Sequence, residues 1–524
     1  YNWYQQDDEW RCKDKNGEDI YDGWAKSGAD WYWLNEEGWM AKEALVDEDS
    51  KYVGEDGKMV TNDWRKVTDD ENNDHWMYFQ AGGKKLVGKE TPKPVTVKGK
   101  KYLFDTDGYM LSGWVMADYD QPGDDDDWRT AIYYCGDEED GAVTYGWRQI
   151  EVVDDDPAVD YLDQNYWFYF TPNGQKFAAR SEKGEELREK TINGKGYAFN
   201  EYGVMKAEWE AVRATAATAT NATVSNYSWF HTVEDGSKFA KGWFRVIPSE
   251  NWDKTNYDEE TAKWFYAKSG KLYQNAIKSI EGKKYAFNDK GEMMVGLCVL
   301  DPARAGEDEF VATYEGVTPA AYAAGIDDAA ELAYYTSFYD ANGDKNDGDL
   351  YVFGDGYGIY YFSADEDNDG SMKTGSQKVT CDGDEYDFYF STKAVDKGKG
   401  ITGKQGSKYY YNGIKVAANE ELGDYTLFFL EPINGANKYC AVAETSLEWF
   451  YRQEETGRAG IKDIKVDAET GVKYVYVNAD TTEGLAVTLI SKTGTVISGG
   501  KKKDNSGYKA VYDKTTKCWI VTLE

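Results

Sequence analysis

Histidine is nearly absent from this 524-residue chain, which holds only His75 and His231. That scarcity counts against nucleophilic triads, which need an imidazole beside Ser or Cys, and against a histidine-built metal centre. Proline is sparse too, at 9 residues against 53 glycines. The six cysteines (Cys12, Cys135, Cys298, Cys381, Cys440 and Cys518) form no CxxC pair and no zinc spacing. They are expected to be small buried side chains or to make one or two incidental disulfides. No apolar run approaches the roughly 20 residues of a membrane helix. No signal peptide or C-terminal sorting motif is visible, a picture that a processed secreted chain also gives.

Positive charge is the last shortage. Lys plus Arg number 60 against 95 Asp plus Glu, giving a net charge of −35 and a pI near 4.5. Nucleic-acid binding and docking on an anionic membrane both need clustered cations, so neither is expected. What is abundant is aromatic: 16% of the chain, including 19 Trp and 43 Tyr. Disordered chains are poor in such residues, so a folded protein is expected. Many small aromatic contacts, not one large aliphatic core, fit this composition.

The chain repeats itself. Gly99, Tyr102, Phe104, Gly108 and Met110 recur as Gly194, Tyr197, Phe199, Gly203 and Met205, and again as Gly282, Tyr285, Phe287, Gly291 and Met293. All three copies keep identical spacing. Aromatics at i and i+2 share one face of a strand, and the polar stretch ending in Gly supplies a turn, so each unit reads as a β-hairpin. The turn glycines Gly108, Gly203 and Gly291 are expected at positive φ. A longer period groups three hairpins: Trp114, Trp147, Trp167 and Tyr197 correspond to Trp209, Trp243, Trp264 and Tyr285. Polar insertions such as 118–128 and 249–261 fall in the turns, where a solenoid tolerates them.

These residues resemble the cell-wall-binding repeats of Gram-positive surface proteins, the choline-binding repeat group. The pattern appears as Gly23-Trp24, Trp31-Tyr32-Trp33 and Gly38-Trp39-Met40, and as Gly108-Tyr109-Met110-Leu111-Ser112-Gly113-Trp114. Repeats of clostridial toxins and streptococcal glucan-binding proteins are similar. The resemblance covers about 20–300 well and about 350–415 moderately. It implies a non-catalytic region in which a ligand sits between successive hairpins. The Trp of a GW pair, a strand aromatic and an aromatic of the following hairpin would box a quaternary ammonium by cation–π attraction. Carried over by position, the boxes are Trp64/Trp76/Tyr102, Trp147/Trp167/Tyr197 and Trp243/Trp264/Tyr285. The chain departs from the pattern in its longer loops and in Leu297, which stands where a Trp is expected.

A second candidate is the string Asp365, Asp367, Asp369, Gly370, whose alternating hard oxygens fit calcium, although the closing Glu of an EF-hand is replaced by Ser376. The bland alternative is a solvated acidic turn. Asn221-Ala222-Thr223 fits a glycosylation acceptor and carries little weight in a bacterial chain. Paired carboxylates for glycoside hydrolysis carry no weight where acids are this common.

The expected fold is mostly β: an elongated solenoid of stacked β-hairpin repeats with a C-terminal β module. Residues 1–113 hold irregular hairpins, 114–208 and 209–296 are three-hairpin super-repeats, and 297–431 hold divergent hairpins with an Ala-rich insertion and a short helix around 320–335. Residues 432–524 form the module or cap. The expected protein is secreted or cell-surface, is not an enzyme, and uses no cofactor beyond possible calcium. Its partner is cell-wall polymer or glycan, without nucleic acid or membrane insertion. The rival expectation is a structural protein that self-associates into a layer or filament, its aromatics serving packing alone.

Overall fold

The computed structural model describes residues 1–117, 128–152, 164–212, 224–307, 310–311, 357–363, 369–381, 383–433, 436–440 and 446–524. The helix expected around 320–335 lies outside them. The chain divides into two compact units, one of residues 1–221 and 226–239, the other of 222–225 and 240–524.

The first unit is a run of two-stranded antiparallel hairpins. They include Gly23–Ser27 with Asp30–Leu34, Asp63–Thr68 with Asp74–Phe79, Gly146–Val152 with Gln164–Phe170, and Arg188–Ile192 with Lys195–Phe199. Before residue 300 the described residues contain one α-helix, the five-residue Lys254–Asp258. Several of the turns after an aromatic strand are built by an Asn or Asp. Asn200 Oδ1 accepts from the N–H groups of Tyr202 and Val204, and Gly203 N–H closes onto Asn200 O at 3.0 Å. Asp105 and Asn288 repeat that pattern. A short polar side chain that bonds its own backbone competes with strand pairing, so the chain reverses there. Gly108, Gly203 and Gly291 sit at φ of 92°, 83° and 76°, as expected.

Stacking of one hairpin on the next uses the residue two beyond the turn glycine. Met205 N–H donates to Trp167 O of the preceding hairpin at 2.9 Å, while Lys206 N–H donates to Ala198 O of its own hairpin at 2.8 Å. Met110 to Trp76 and Met293 to Trp264 repeat the inter-hairpin bond, each at 2.8 Å. The same methionines lie against the turn glycine of the hairpin that follows. Met40 meets Gly57, Met59 meets Gly83, Met110 meets Gly141 and Met205 meets Gly236. A methyl group on Gly57 would stand 2.8 Å from Met40 Cε, closer than carbons approach. Glycine is thus required twice at these turns, by φ and by the methionine beneath. Phe104, Phe199 and Phe287 are buried behind the turns.

The second unit continues with Lys241–Val246 paired to Lys263–Lys268, and Ala276–Ile280 paired to Lys283–Phe287. Gly296–Leu300 then pairs with Gly358–Phe362, bringing Leu297 opposite Tyr361. Leu297 packs with Val299, Ile359 and Val379 beside Tyr361, Phe388 and Phe390, a mixed cluster where the earlier repeats use Trp. A five-stranded sheet spans Gly375–Cys381 to Ile414–Lys415. The C-terminal module has a four-stranded sheet led by Tyr425–Ile433, a five-stranded sheet ending in Cys518–Leu523, and the helix Leu447–Arg452. Leu427, Val475, Val477, Leu489, Ile490 and Val521 are fully buried in it. Cys12, Cys135, Cys298 and Cys518 are buried free thiols, and Cys381 is buried. Among the described residues no helix is long and apolar enough to cross a membrane.

Beside Met293 one turn carries an unusual charge pair. Glu292 and Asp253 are both buried, with Asn288 Nδ2 donating to Glu292 Oε2 at 3.0 Å and Lys290 paired to Asp253 at 3.0 Å. Burial pushes the Glu292 carboxyl up to about 8, and the neighbouring Asp253 carboxylate adds to the rise. Burial opposes ionisation of Asp253 as well, but hydrogen bonds from Glu292, Asn256 and Lys290 hold it at about 2. The two carboxyls are thus pushed apart, Glu292 toward its neutral form and Asp253 toward its charged form.

Candidate functional site

Two hydrophobic clusters and part of a third contain the aromatic boxes. In the second box, Trp147 begins a strand, Trp167 lies on the partner strand, and Tyr197 belongs to the next hairpin. Trp147 meets Trp167 edge-on at 6.4 Å and Tyr197 edge-on at 4.7 Å. In the third box the corresponding separations are 6.3 Å for Trp243–Trp264 and 4.8 Å for Trp243–Tyr285. In the first box Trp64 and Tyr102 stand 4.9 Å apart. Behind each of these Trp rings lies a Phe whose plane is near parallel at 5.7 Å: Phe104, Phe199 and Phe287. Three separated stretches of sequence thus build one Trp–Tyr–Phe arrangement, which a second Trp joins in the latter two but not in the cluster of Trp64 and Tyr102.

The rings divide by burial. Tyr102, Tyr197 and Tyr285 are 8–9% exposed, whereas the six tryptophans are only partly buried. Each box therefore has a buried wall and two rings that reach the surface. The face of a ring is its electron-rich part and is what attracts a cation.

The first box differs from the others at Trp76. Its indole N–H donates to Glu139 Oε2 at 3.2 Å, and Lys66 Nζ bonds Glu139 Oε1 at 3.0 Å. That carboxylate comes from a turn 63 residues further on, which no spacing in the motif marks. In the third box the Trp264 indole nitrogen is buried with no hydrogen-bond partner among the described residues.

Methionine is the element that sequence reasoning left out of the boxes. Met205 is clustered with Trp147, Trp167 and Tyr197, Met293 with Trp243, Trp264 and Tyr285, and Met110 with Trp64 and Tyr102. A polarizable thioether on an aromatic edge fills an irregular gap well. The Gly-x-Met spacing of the repeat held this information, because the inter-hairpin bond of that methionine goes to the strand Trp.

Of the calcium string, Asp365 and Asp367 lie outside the described residues. Asp369 is engaged by protein groups. It accepts from Ser371 N–H at 2.9 Å, Ser371 Oγ at 2.7 Å and Ser363 Oγ at 3.0 Å, and it pairs with Lys283 at 2.8 Å and Lys373 at 3.4 Å. Burial opposes its ionisation, and the Lys283 ammonium with the serine donors outweighs it, holding the carboxyl well below the usual range. Among the described residues no three His, Cys, Asp or Glu side chains converge on a metal position. Both histidines are tied to their own hairpins: His75 Nε2 lies 2.9 Å from Asp69 Oδ2, and His231 Nδ1 lies 2.8 Å from Ser237 O.

The chain is similar to several solved choline-binding proteins of Streptococcus pneumoniae. With CbpJ it shares 18% identity over 56% of this chain and 92% of that one, at a TM-score of 0.33. With CbpF it shares 15% identity over 79% of this chain and 98% of that one, at a TM-score of 0.24. With the modular autolysin LytC the values are 16% identity, 57% and 55% coverage, and 0.32. The match thus spans about half the length of the autolysin. No protein-family model matches the chain, and no curated protein sequence does.

Proposed function

We propose that the protein binds cell-wall polymer or glycan through its aromatic cages, and that the group held there is a quaternary ammonium of the choline type. It acts by binding, without catalysis, as a secreted or surface-attached chain. The observation that supports this is the threefold recurrence of one cage, with Trp–Tyr separations of 4.9, 4.7 and 4.8 Å at positions tens of residues apart. Packing alone would accept many ring arrangements. A cation that must be surrounded by ring faces accepts few.

The competing reading, a self-associating structural array, draws on the burial of the three tyrosines. One titration separates the two. Choline added to the intact chain is expected to change tryptophan fluorescence saturably, and Trp147→Ala is expected to weaken binding at that cage by about 1–3 kcal/mol. A wild-type chain indifferent to choline, with Trp147→Ala costing only stability, on the order of 3–5 kcal/mol, would favour the packing reading.

A further inference from the structure

Lys176 stands at the position that Met110, Met205 and Met293 occupy in their turns, two residues beyond Gly174. Its backbone N–H donates to Ile132 O at 2.7 Å, as the methionines donate to a strand Trp. The surrounding positions form a fourth cage in outline: Trp114 at the GW position, Phe168 on the next hairpin, and Ile132 where the strand Trp would be. Trp114 and Phe168 meet edge-on at 5.1 Å. The Lys176 ammonium lies 5.3 Å from the Trp114 ring centre and 5.9 Å from that of Phe168. Two carbonyls fix it there, Trp128 O at 2.5 Å and Arg129 O at 3.2 Å.

A similar replacement occurs at Trp24. The residue corresponding to Tyr102 is Lys51, and its ammonium lies 4.9 Å over the Trp24 ring. Asp47 holds both partners, accepting from Lys51 Nζ at 2.5 Å and from Trp24 Nε1 at 3.0 Å.

We propose that the Trp114 cage is closed by a resident cation: the Lys176 ammonium occupies the place that an external quaternary ammonium takes in the three methionine-floored cages. The physical reason is the same in both cases. Ring faces stabilise one positive charge, and a second cation entering beside the first meets repulsion and lacks space. The chain thereby sets how many groups it binds. This rests on the proposed ligand class, and the test is arranged so that the two fail separately.

The probe is choline, titrated calorimetrically into the full chain at about pH 6, where Lys176, which burial pushes down to about 7, carries its charge. Ile132→Trp alone completes the wall but leaves the lysine, so its stoichiometry is expected to equal that of the wild type. Ile132→Trp combined with Lys176→Met is expected to bind one further choline per chain. A folded double variant with unchanged stoichiometry overturns the proposal, as does a gain with Ile132→Trp alone. If the wild type binds no choline, or the double variant does not fold, a double-mutant cycle decides. Lys176→Met and Trp114→Leu are then expected to be non-additive in melting temperature, because ammonium and ring act as a pair. Additive shifts would overturn the resident-cation assignment.

Discussion

The hairpin repeats and the C-terminal module solve the same problem in different ways. A hairpin of the array buries a handful of side chains, such as Phe177, Ile192, Tyr197, Phe199 and Met205, between itself and its neighbours. The module buries one continuous cluster in which Leu427, Phe428, Val475, Val487, Leu489 and Val521 all take part. Strands of the array pair across short turns, Arg188 with Phe199 for example. In the module Tyr425 pairs with Ser491 and Val475 with Val521. Local pairing with small aromatic clusters gives a chain of weakly coupled steps, whereas distant pairing around an aliphatic core gives one cooperative body.

The largest expected effect tests that contrast at its cooperative end. Phe428→Ala should cost the module about 3–5 kcal/mol and raise amide exchange throughout Ile461–Val466, Lys473–Asn478 and Cys518–Leu523 together. Exchange confined to the strands beside residue 428 would break the comparison. Gly203→Val comes next, at about 1–3 kcal/mol, because φ is 83° and Lys176 Cδ would stand 2.8 Å from the new Cβ. Its exchange signal should be limited to the flanking hairpins and leave Gly23–Ser27 unchanged. A signal that spreads along the whole first unit would show that the hairpins are strongly coupled.

Titration sharpens the comparison by sign. Glu292 is raised in the folded state, so the stability it contributes is complete below its ordinary value and is lost as pH rises through about 8. Asp480 in the module is the reverse case. Its bond from Lys517 at 2.6 Å and those from Thr482 hold it low, so its contribution is present above the ordinary carboxylate value and is lost on acidification. Melting curves should therefore show Glu292→Gln flattening the alkaline side alone. An unchanged alkaline limb would remove Glu292 from the account. The smallest effect is Met205→Lys. The turn at Lys176 already accepts lysine, so stability should shift within about 1 kcal/mol while choline binding at that cage is lost. Retained binding would show that the methionine is not part of the cage.

Much of this was legible because the repeat is a backbone requirement written in side chains. Tyr197 and Phe199 alternate, Asn200 closes the turn, and Gly203 supplies positive φ, so hairpin and register follow from adjacent residues. The pairing of Trp147 with Tyr197 was also legible, since both positions recur. Trp76 was placed less well, because Glu139 is not part of the motif and reaches it only after folding. The lysines were hidden for a different reason. A charged residue on a surface turn looks solvated in sequence, and only the structure shows Lys176 between two rings. Leu297 was recognised as a departure, but its surroundings depend on Ile359, Val379 and Phe388, which no local pattern connects to it.

The succession of methionines beneath turn glycines also makes the array a record of oxidant exposure. A sulfoxide adds an oxygen to a thioether, and the Met59 sulfur already stands 2.5 Å from where a Cβ on Gly83 would be. An oxygen added on the side of the sulfur that faces the glycine would part the two hairpins. Peroxide would therefore loosen the first unit at Met40, Met59, Met110 and Met205 while sparing the step at Lys176. Reduction of the sulfoxides by a methionine sulfoxide reductase would let those steps close again.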